Sequence, residues 1–455
     1  MVNKLLLSIL AISLIVYAVS ISDLSENNDI YSVVIDGGST GSRLFVFKSS
    51  HRDGKRTITV NKGKKVMPGI SSFNSHPEDV TNYLLPAILN AVEMVPSSEL
   101  SNTILYVKST AGMRLIPETE QAMIWEQLIH GLKNNENIPF IVRDENFGVI
   151  DGYAEAYYAV LASNYIAGRI DGNLHRIDGT EMVGALDMGG SSTQLIFHTE
   201  TEPNTPVKQS DFWSHSWLMY GVNKLQERVW QYLIDNSNNS KISLNIEIDG
   251  TFSSPVDSVI HAQPNSAELL LKIGDKNVIE SPCTFRGHVE LFEGNALVGT
   301  GDAPECQALI ESVMWPANQT TCSHDSRCQL DGISHPNIAG EFYGMSVYFY
   351  GLDCIRTVGR LELTHWPKPT IAELRSVVVE FCHIPWSEAE ENLYGKHKFT
   401  KDSQLHYRCL EGLYMTTLLE KAFGFNPTER KITFALEVQG MEVEWTLGYV
   451  LAELK

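Results

Sequence analysis

No cysteine occurs in the first 282 residues, and the seven that follow, Cys283, Cys306, Cys322, Cys328, Cys354, Cys382 and Cys409, include no C-x-x-C pair. A zinc site built on such pairs is excluded, so disulfides are the better use for most of them, with one thiol left over. Positive charge is scarce as well. Lys and Arg number 35 against 55 Asp and Glu, for a net charge of −20 with no long block of either sign. That balance excludes wrapping nucleic acid, which needs clustered cations. Beyond residue 20 no apolar run is long enough to span a bilayer, and the chain stops at "YVLAELK" without an anchor. What remains is a 455-residue chain, 43% hydrophobic, with material for two or three globular domains.

The N-terminus joins a short basic start, through Lys4, to the apolar stretch "LLLSILAISLIVYAVS" and a small-residue pattern, Ala18-Val19-Ser20. We read residues 1–20 as a cleaved signal peptide, giving a mature chain without a span that is secreted or held in the lumen of the secretory pathway. The alternative is an uncleaved N-terminus acting as a type II anchor. The sequons at Asn238 and Asn318 agree with export.

The informative feature occurs twice. "VVIDGGSTGSRLFVF" (33–47) and "GALDMGGSSTQLIF" (184–197) each lead an apolar strand into an acidic residue, Asp36 or Asp187, then into small and hydroxyl residues, then into a second strand. The two acids lie 151 positions apart, so duplication of a strand–loop–strand unit, and hence two related α/β lobes, is the economical reading. Glycines that tolerate φ > 0 and lack a Cβ let backbone N–H groups converge on an anion. Gly38, Ser39, Thr40, Gly41, Ser42 and Arg43 in the first loop, and Gly189, Gly190, Ser191, Ser192 and Thr193 in the second, are candidate phosphate binders. Asp36 and Asp187 repel phosphate directly, which points to a hard divalent cation, Ca²⁺ or Mg²⁺, held between carboxylates and phosphate. A Walker loop or dinucleotide fingerprint runs from strand into helix; here "RLFVF" and "QLIFH" continue as strand, so both are disfavoured.

Two further stretches complete the set. "VKSTAGMRLI" puts Thr110 and Arg114 just after a strand, and "FGVIDGYAEAYYAVLASNYI" puts Glu155 in the first turn of a helix starting near Asp151. Residues 199–282, polar and rich in Asn and Ser, read as a surface insertion without chemistry. His215, His335 and His406 read as packing or surface residues, because no metal-ligand spacing links them.

Together "DGGSTGSR", "STAGMR", the Glu155 helix and "DMGGSSTQ" resemble the apyrase family, the nucleoside triphosphate diphosphohydrolases, and the likeness extends through "HSWLMYG", "EFYGMSVYFY", "YRCLEGLYMTTLL" and "WTLGYVL" over residues 31–455. The resemblance implies an actin-like, ribonuclease H-like two-lobed α/β fold with the nucleotide in a cleft between lobes. We place lobe I at 30–151, with 442–455 returning to it, and lobe II at 152–441. By resemblance, Glu155 is the base on the attacking water, Ser192 and Gln194 hold that water, Thr110 and Arg114 line the phosphates, and Asp36 and Asp187 organise the cation largely through its waters. Tyr350 and Tyr414 occupy positions where the family sandwiches the nucleobase. The resemblance also favours the disulfides Cys322–Cys328, Cys382–Cys409 and Cys283–Cys306, leaving Cys354 free. The family usually has Gly and Trp where this chain has Ala156 and Val160, changes that bear on packing, rate or preference without removing a catalytic group.

The expected activity is metal-dependent hydrolysis of the terminal phosphates of nucleoside tri- and diphosphates. A nucleotide- or host-binding secreted protein with lost turnover is the alternative, weakened by intact Glu155, Ser192 and Gln194. An actin-like kinase or chaperone ATPase is disfavoured by the leader. Oligomeric state is not legible.

Overall fold

In "VVIDG" every residue is buried, as suits a strand covered on both faces, and this run is the centre of the first sheet. The computed structural model describes residues 29–199, 206–237, 273, 276–316, 329–359 and 362–454. The leader, both sequons, Cys322 and Cys328 lie outside the described residues.

The first sheet contains β1 (Asp29–Gly37), β2 (Ser42–Arg52), β3 (Lys55–Val66), β4 (Ile104–Ser109) and β5 (Ile141–Val149), in the order β3-β2-β1-β4-β5. β1–β2 is an antiparallel hairpin with Asp36 opposite Arg43, while β4 and β5 run parallel to β1 and β4. Alternation sorts the side chains. Val33, Ile35, Leu44, Val46, Leu105 and Val107 pack against the helices Val80–Met94 and Glu118–Lys133, whereas Tyr106 on the other face meets Tyr449. The edge strand β3 blunts its exposed flank with lysines.

The second main sheet repeats this plan. β6 (Gly184–Met188) and β7 (Ser192–His198) form an antiparallel hairpin with Asp187 opposite Gln194, and β8 (Phe212–Leu218) lies beside β7. A separate three-stranded sheet follows, β9 (Asn277–Ser281), β10 (Val289–Phe292) and β11 (Asn295–Gly299), in the order β10-β11-β9. β12 (Phe342–Gly344) then runs parallel to β6, and β13 (Ile432–Phe434) parallel to β12. The resulting order, β13-β12-β6-β7-β8, is that of the first sheet read from the opposite end. Duplication is thus visible in strand order as well as in letters.

The described residues form two α/β units, one of 29–182 with 199, 206–212 and 438–454, the other of 183–198 and the described part of 213–437. Residues 152–182, assigned on the sequence to the second lobe, make their contacts in the first. The reason is burial: the helix Gly152–Ile166 is apolar nearly all round, and its Tyr158 packs against Trp445 and Tyr449 of the C-terminal helix Trp445–Glu453. Ala156 and Val160, the departures from the family pattern, are fully enclosed there.

In the second unit, Cys283–Cys306 and Cys382–Cys409 are disulfides and Cys354 is a buried free thiol. The reading of 199–282 as a surface insertion is corrected over its described part. β8 belongs to the sheet and the helix Val222–Asn236 buries Val222, Leu225, Val229 and Trp230. Among the described residues no helix is long and apolar enough to cross a membrane.

Candidate active site

The two hairpin loops present backbone N–H groups, but by a route other than positive φ. Neither Gly37, Gly38 and Gly41 nor Gly189 and Gly190 occupies the left-handed region. In the second loop the carbonyls of Gly189, Gly190 and Ser191 accept hydrogen bonds from Val222 N (3.0 Å), Asn223 N (3.0 Å) and Met219 N (2.8 Å). Across a planar trans peptide the next N–H points the opposite way. The N–H groups of Gly190, Ser191 and Ser192 are therefore turned together away from the helix start, as an anion nest requires. Gly221 makes this possible, since a Cβ there would stand 2.4 Å from Gly190 C and Ser191 N.

In the first loop, Gly37 O accepts from Thr110 N at 3.3 Å, which fixes the turn after β4 against the hairpin. Here Gly69 takes the place of Gly221, with a Cβ there only 2.4 Å from Ser39 O. Thr110 is buried and opens the short helix Ala111–Arg114.

Ser42 and Thr193 hold the same hairpin position and share a fate the sequence did not reveal. Both are fully buried; Ser42 Oγ accepts from the Tyr83 hydroxyl at 3.1 Å, and Thr193 Oγ1 donates to Asp187 O at 2.9 Å. Their hydroxyls brace the loops from beneath, which corrects their reading as phosphate donors.

Asp36 is 2% exposed; its Oδ2 accepts from Arg43 Nη1 at 3.2 Å, and the Trp445 side chain also hydrogen-bonds the carboxylate. Burial pushes the Asp36 carboxyl above its ordinary value, against the opposing pull of Arg43. Glu444, buried in the same unit, is pushed up to about 8, chiefly by burial, with Arg43 opposing and Glu442 and Asp36 reinforcing. No motif flagged Glu444.

Glu155 lies in the first turn of its helix, 6% exposed, where the Asp151 side chain caps Ala154 N at 2.8 Å. Its Oε2 accepts from Arg114 Nη2 in a largely buried ion pair, so the two residues read separately from the sequence are joined. In the second unit Gln194 Nε2 donates to Ser192 Oγ at 2.8 Å and to Ser216 Oγ at 2.9 Å, with Gln194 and Ser192 both buried. Ser216, on β8, was missed because its segment reads as ordinary alternation.

The two tyrosines part company. Tyr414 is 0% exposed and its hydroxyl donates to Tyr220 O at 2.6 Å, so it is a core residue with no free face, which corrects its assignment to the nucleobase. Tyr350 is half-buried, its ring centroid 5.5 Å from that of Phe399, an aromatic the sequence reading passed over.

Two α/β units, each with an Asp-led hairpin loop at the same place in a sheet of the same order, define a two-lobed protein of the actin-like, ribonuclease H-like class. The chain belongs to the GDA1/CD39 (nucleoside phosphatase) family, whose model matches residues 22–455, and it is a hydrolase. It is similar to the nucleoside-triphosphatase ntp-1 of Caenorhabditis elegans (29% identity over 95% of this chain and 74% of the relative) and to ectonucleoside triphosphate diphosphohydrolase 7 of Pongo abelii (28%; 94% and 74%). Ectonucleoside triphosphate diphosphohydrolase 1 of Bos taurus is 26% identical over 99% of this chain and 87% of its own length. Among solved structures, the nucleoside triphosphate hydrolases of Neospora caninum share the fold, with a TM-score of 0.61 at 15% identity and coverage of 98% and 96%.

Proposed function

We propose that this chain hydrolyses the terminal phosphates of nucleoside tri- and diphosphates, with water activated by Glu155 and the phosphates held by the two hairpin loops. The observation that carries this reading is the buried Arg114–Glu155 pair at a helix start in the unit that also holds the Asp36 loop. Family membership and the names of the relatives support the substrate class.

Phosphoryl transfer to water asks for an in-line nucleophile and for neutralised charge on the transferring group. Glu155 takes the proton of the attacking water, and Arg114 fixes the carboxylate's position. Ser192 and Gln194 orient that water, with Ser216 restricting the Gln194 amide. Backbone N–H groups of the two loops, with Arg43 and Thr110, bind phosphate oxygens. The all-oxygen donor set of the two buried aspartates, Asp36 and Asp187, fits a hard divalent cation, Ca²⁺ or Mg²⁺, reached largely through water. When bound, that cation neutralises phosphate charge. Tyr350 offers a ring face to the base, and stacking tolerates any base.

The leader at 1–20 and the two disulfides support export to an oxidising compartment; Edman sequencing of exported protein should begin near Ile21. The deciding experiment is phosphate release from ATP, ADP, GDP, UDP and AMP with Mg²⁺, Ca²⁺ or chelator. Release from tri- and diphosphates only, abolished by chelator, is expected. Full activity in excess chelator, or efficient cleavage of AMP, refutes the proposal.

A further inference from the structure

Histidines 118 positions apart in the sequence meet in the second unit. His288 directly precedes β10, Glu290 lies on β10, and His406 sits between the short helix Asp402–Leu405 and the helix Arg408–Thr417. One donor atom from each of the three lies within 4.8 Å of the others. Both histidines are 7% exposed, and their rings stack at 4.2 Å with 18° between planes. The walls are aromatic: Trp386 meets His288 edge-on at 4.5 Å, and the Tyr407 ring is 3.7 Å from that of His406.

His406 Nε2 is buried and faces Glu290 Oε2 at 3.2 Å, an ion-pair distance off hydrogen-bond geometry. A buried imidazole and a carboxylate that face one another without a well-aligned hydrogen bond are better satisfied by a cation shared between them. The 3.2 Å separation matches the edge of a tetrahedron with metal bonds of about 2.0 Å, which is roughly 3.3 Å.

We propose that His288, Glu290 and His406 bind one Zn²⁺ ion, as a site separate from the nucleotide machinery. Two imidazole nitrogens and one carboxylate oxygen suit zinc, with water as fourth ligand; Ca²⁺ and Mg²⁺ demand six or more oxygens. Closing the widest donor spacing to a tetrahedral edge needs a shift of about 1.5 Å, together with a turn of one of the two stacked rings about its Cβ–Cγ bond so that both nitrogen lone pairs meet the ion. The placement also gives the ion a role. His288 lies within the loop closed by Cys283–Cys306 and His406 within that closed by Cys382–Cys409. Each disulfide staples its own segment, spanning 23 and 27 residues; zinc ties the two stapled segments together.

The test uses the purified chain with its disulfides intact, stripped by chelator and titrated with Zn²⁺, or with Co²⁺ as a spectroscopic substitute, in millimolar Mg²⁺. Binding of one zinc per chain at micromolar concentration, a tetrahedral Co²⁺ spectrum and a raised Tm are expected. Glu290→Gln, on a side chain partly open to solvent, should weaken affinity at least about 10-fold while phosphate release in Mg²⁺ stays at the wild-type rate. His406→Gln should abolish the Co²⁺ spectrum, and Asp187→Asn should leave it intact. Absence of micromolar zinc binding, retention of full affinity by both Glu290→Gln and His406→Gln, or loss of the spectrum in Asp187→Asn overturns the assignment.

Discussion

The two Asp-led hairpins share loop length, strand register and place in their sheets, yet they surround the acid differently. Asp36 faces Arg43 across the strand pair; Asp187 faces Gln194. In the first unit the loop is held by Gly69 and the turn at Thr110, and charge accumulates around it: Arg43, Glu444 and the Arg114–Glu155 pair. In the second the loop rests on a helix start, and its polar partners are the neutral Ser192, Gln194 and Ser216. Duplication kept the backbone device, which depends on small residues and peptide geometry, while the side chains at the matching position diverged toward charge in one copy and neutral hydrogen bonding in the other.

The strongest way to break this asymmetry is to remove Glu155, the proposed base, which lies in the first unit. Glu155→Gln should lower kcat on the order of 10²-fold or more with nucleotide affinity retained, whereas Asp187→Asn should weaken metal-dependent nucleotide binding along with turnover. Steady-state kinetics combined with a direct nucleotide-binding assay separates the two. A near-normal kcat in Glu155→Gln would move the base elsewhere.

A smaller effect concerns stability. Glu444 has a folded value of about 8 against an ordinary 4.5. A carboxyl raised in this way contributes stability that is fully present below about pH 4.5 and is lost as pH rises through 8. In chelator, stability should fall between pH 5 and 9, and Glu444→Gln should remove on the order of 4 kcal/mol of that change. Denaturant titrations at both pH values test this, and an unchanged slope in the variant would count against it.

The smallest expected effect sharpens the comparison directly. Arg43→Gln makes the first hairpin a chemical copy of the second and removes the cation that opposes the upward push on Asp36. The acid limb of kcat/KM should move to higher pH, with a loss of about 10-fold at neutral pH, on the scale of one lost charge-assisted contact. A profile that drops uniformly with no shift would mean that Arg43 acts on phosphate alone.

Much of the site was legible because its signals are local. An acid at a strand end, small residues in the turn and resumed alternation need only neighbours in sequence, and they located both hairpins and the Glu155 helix. Long-range pairings were not legible in that way. Alternation says that Ser42, Thr193 and Tyr414 sit on one face of their elements, but not that Tyr83, Asp187 O and Tyr220 O await them there.

By itself, then, the amino-acid sequence determined the family, the two-lobed α/β plan and the paired loops, since backbone turns and strand periodicity are dictated by residues a few positions apart. Only the tertiary structure decided which unit holds the Glu155 helix, which hydroxyls are spent beneath the loops, that Glu444 shares a buried environment with Asp36, and that His288 and His406 meet across 118 residues. Burial and hydrogen bonding belong to pairs of surfaces brought together by packing, and a single strand or helix carries no record of its partner.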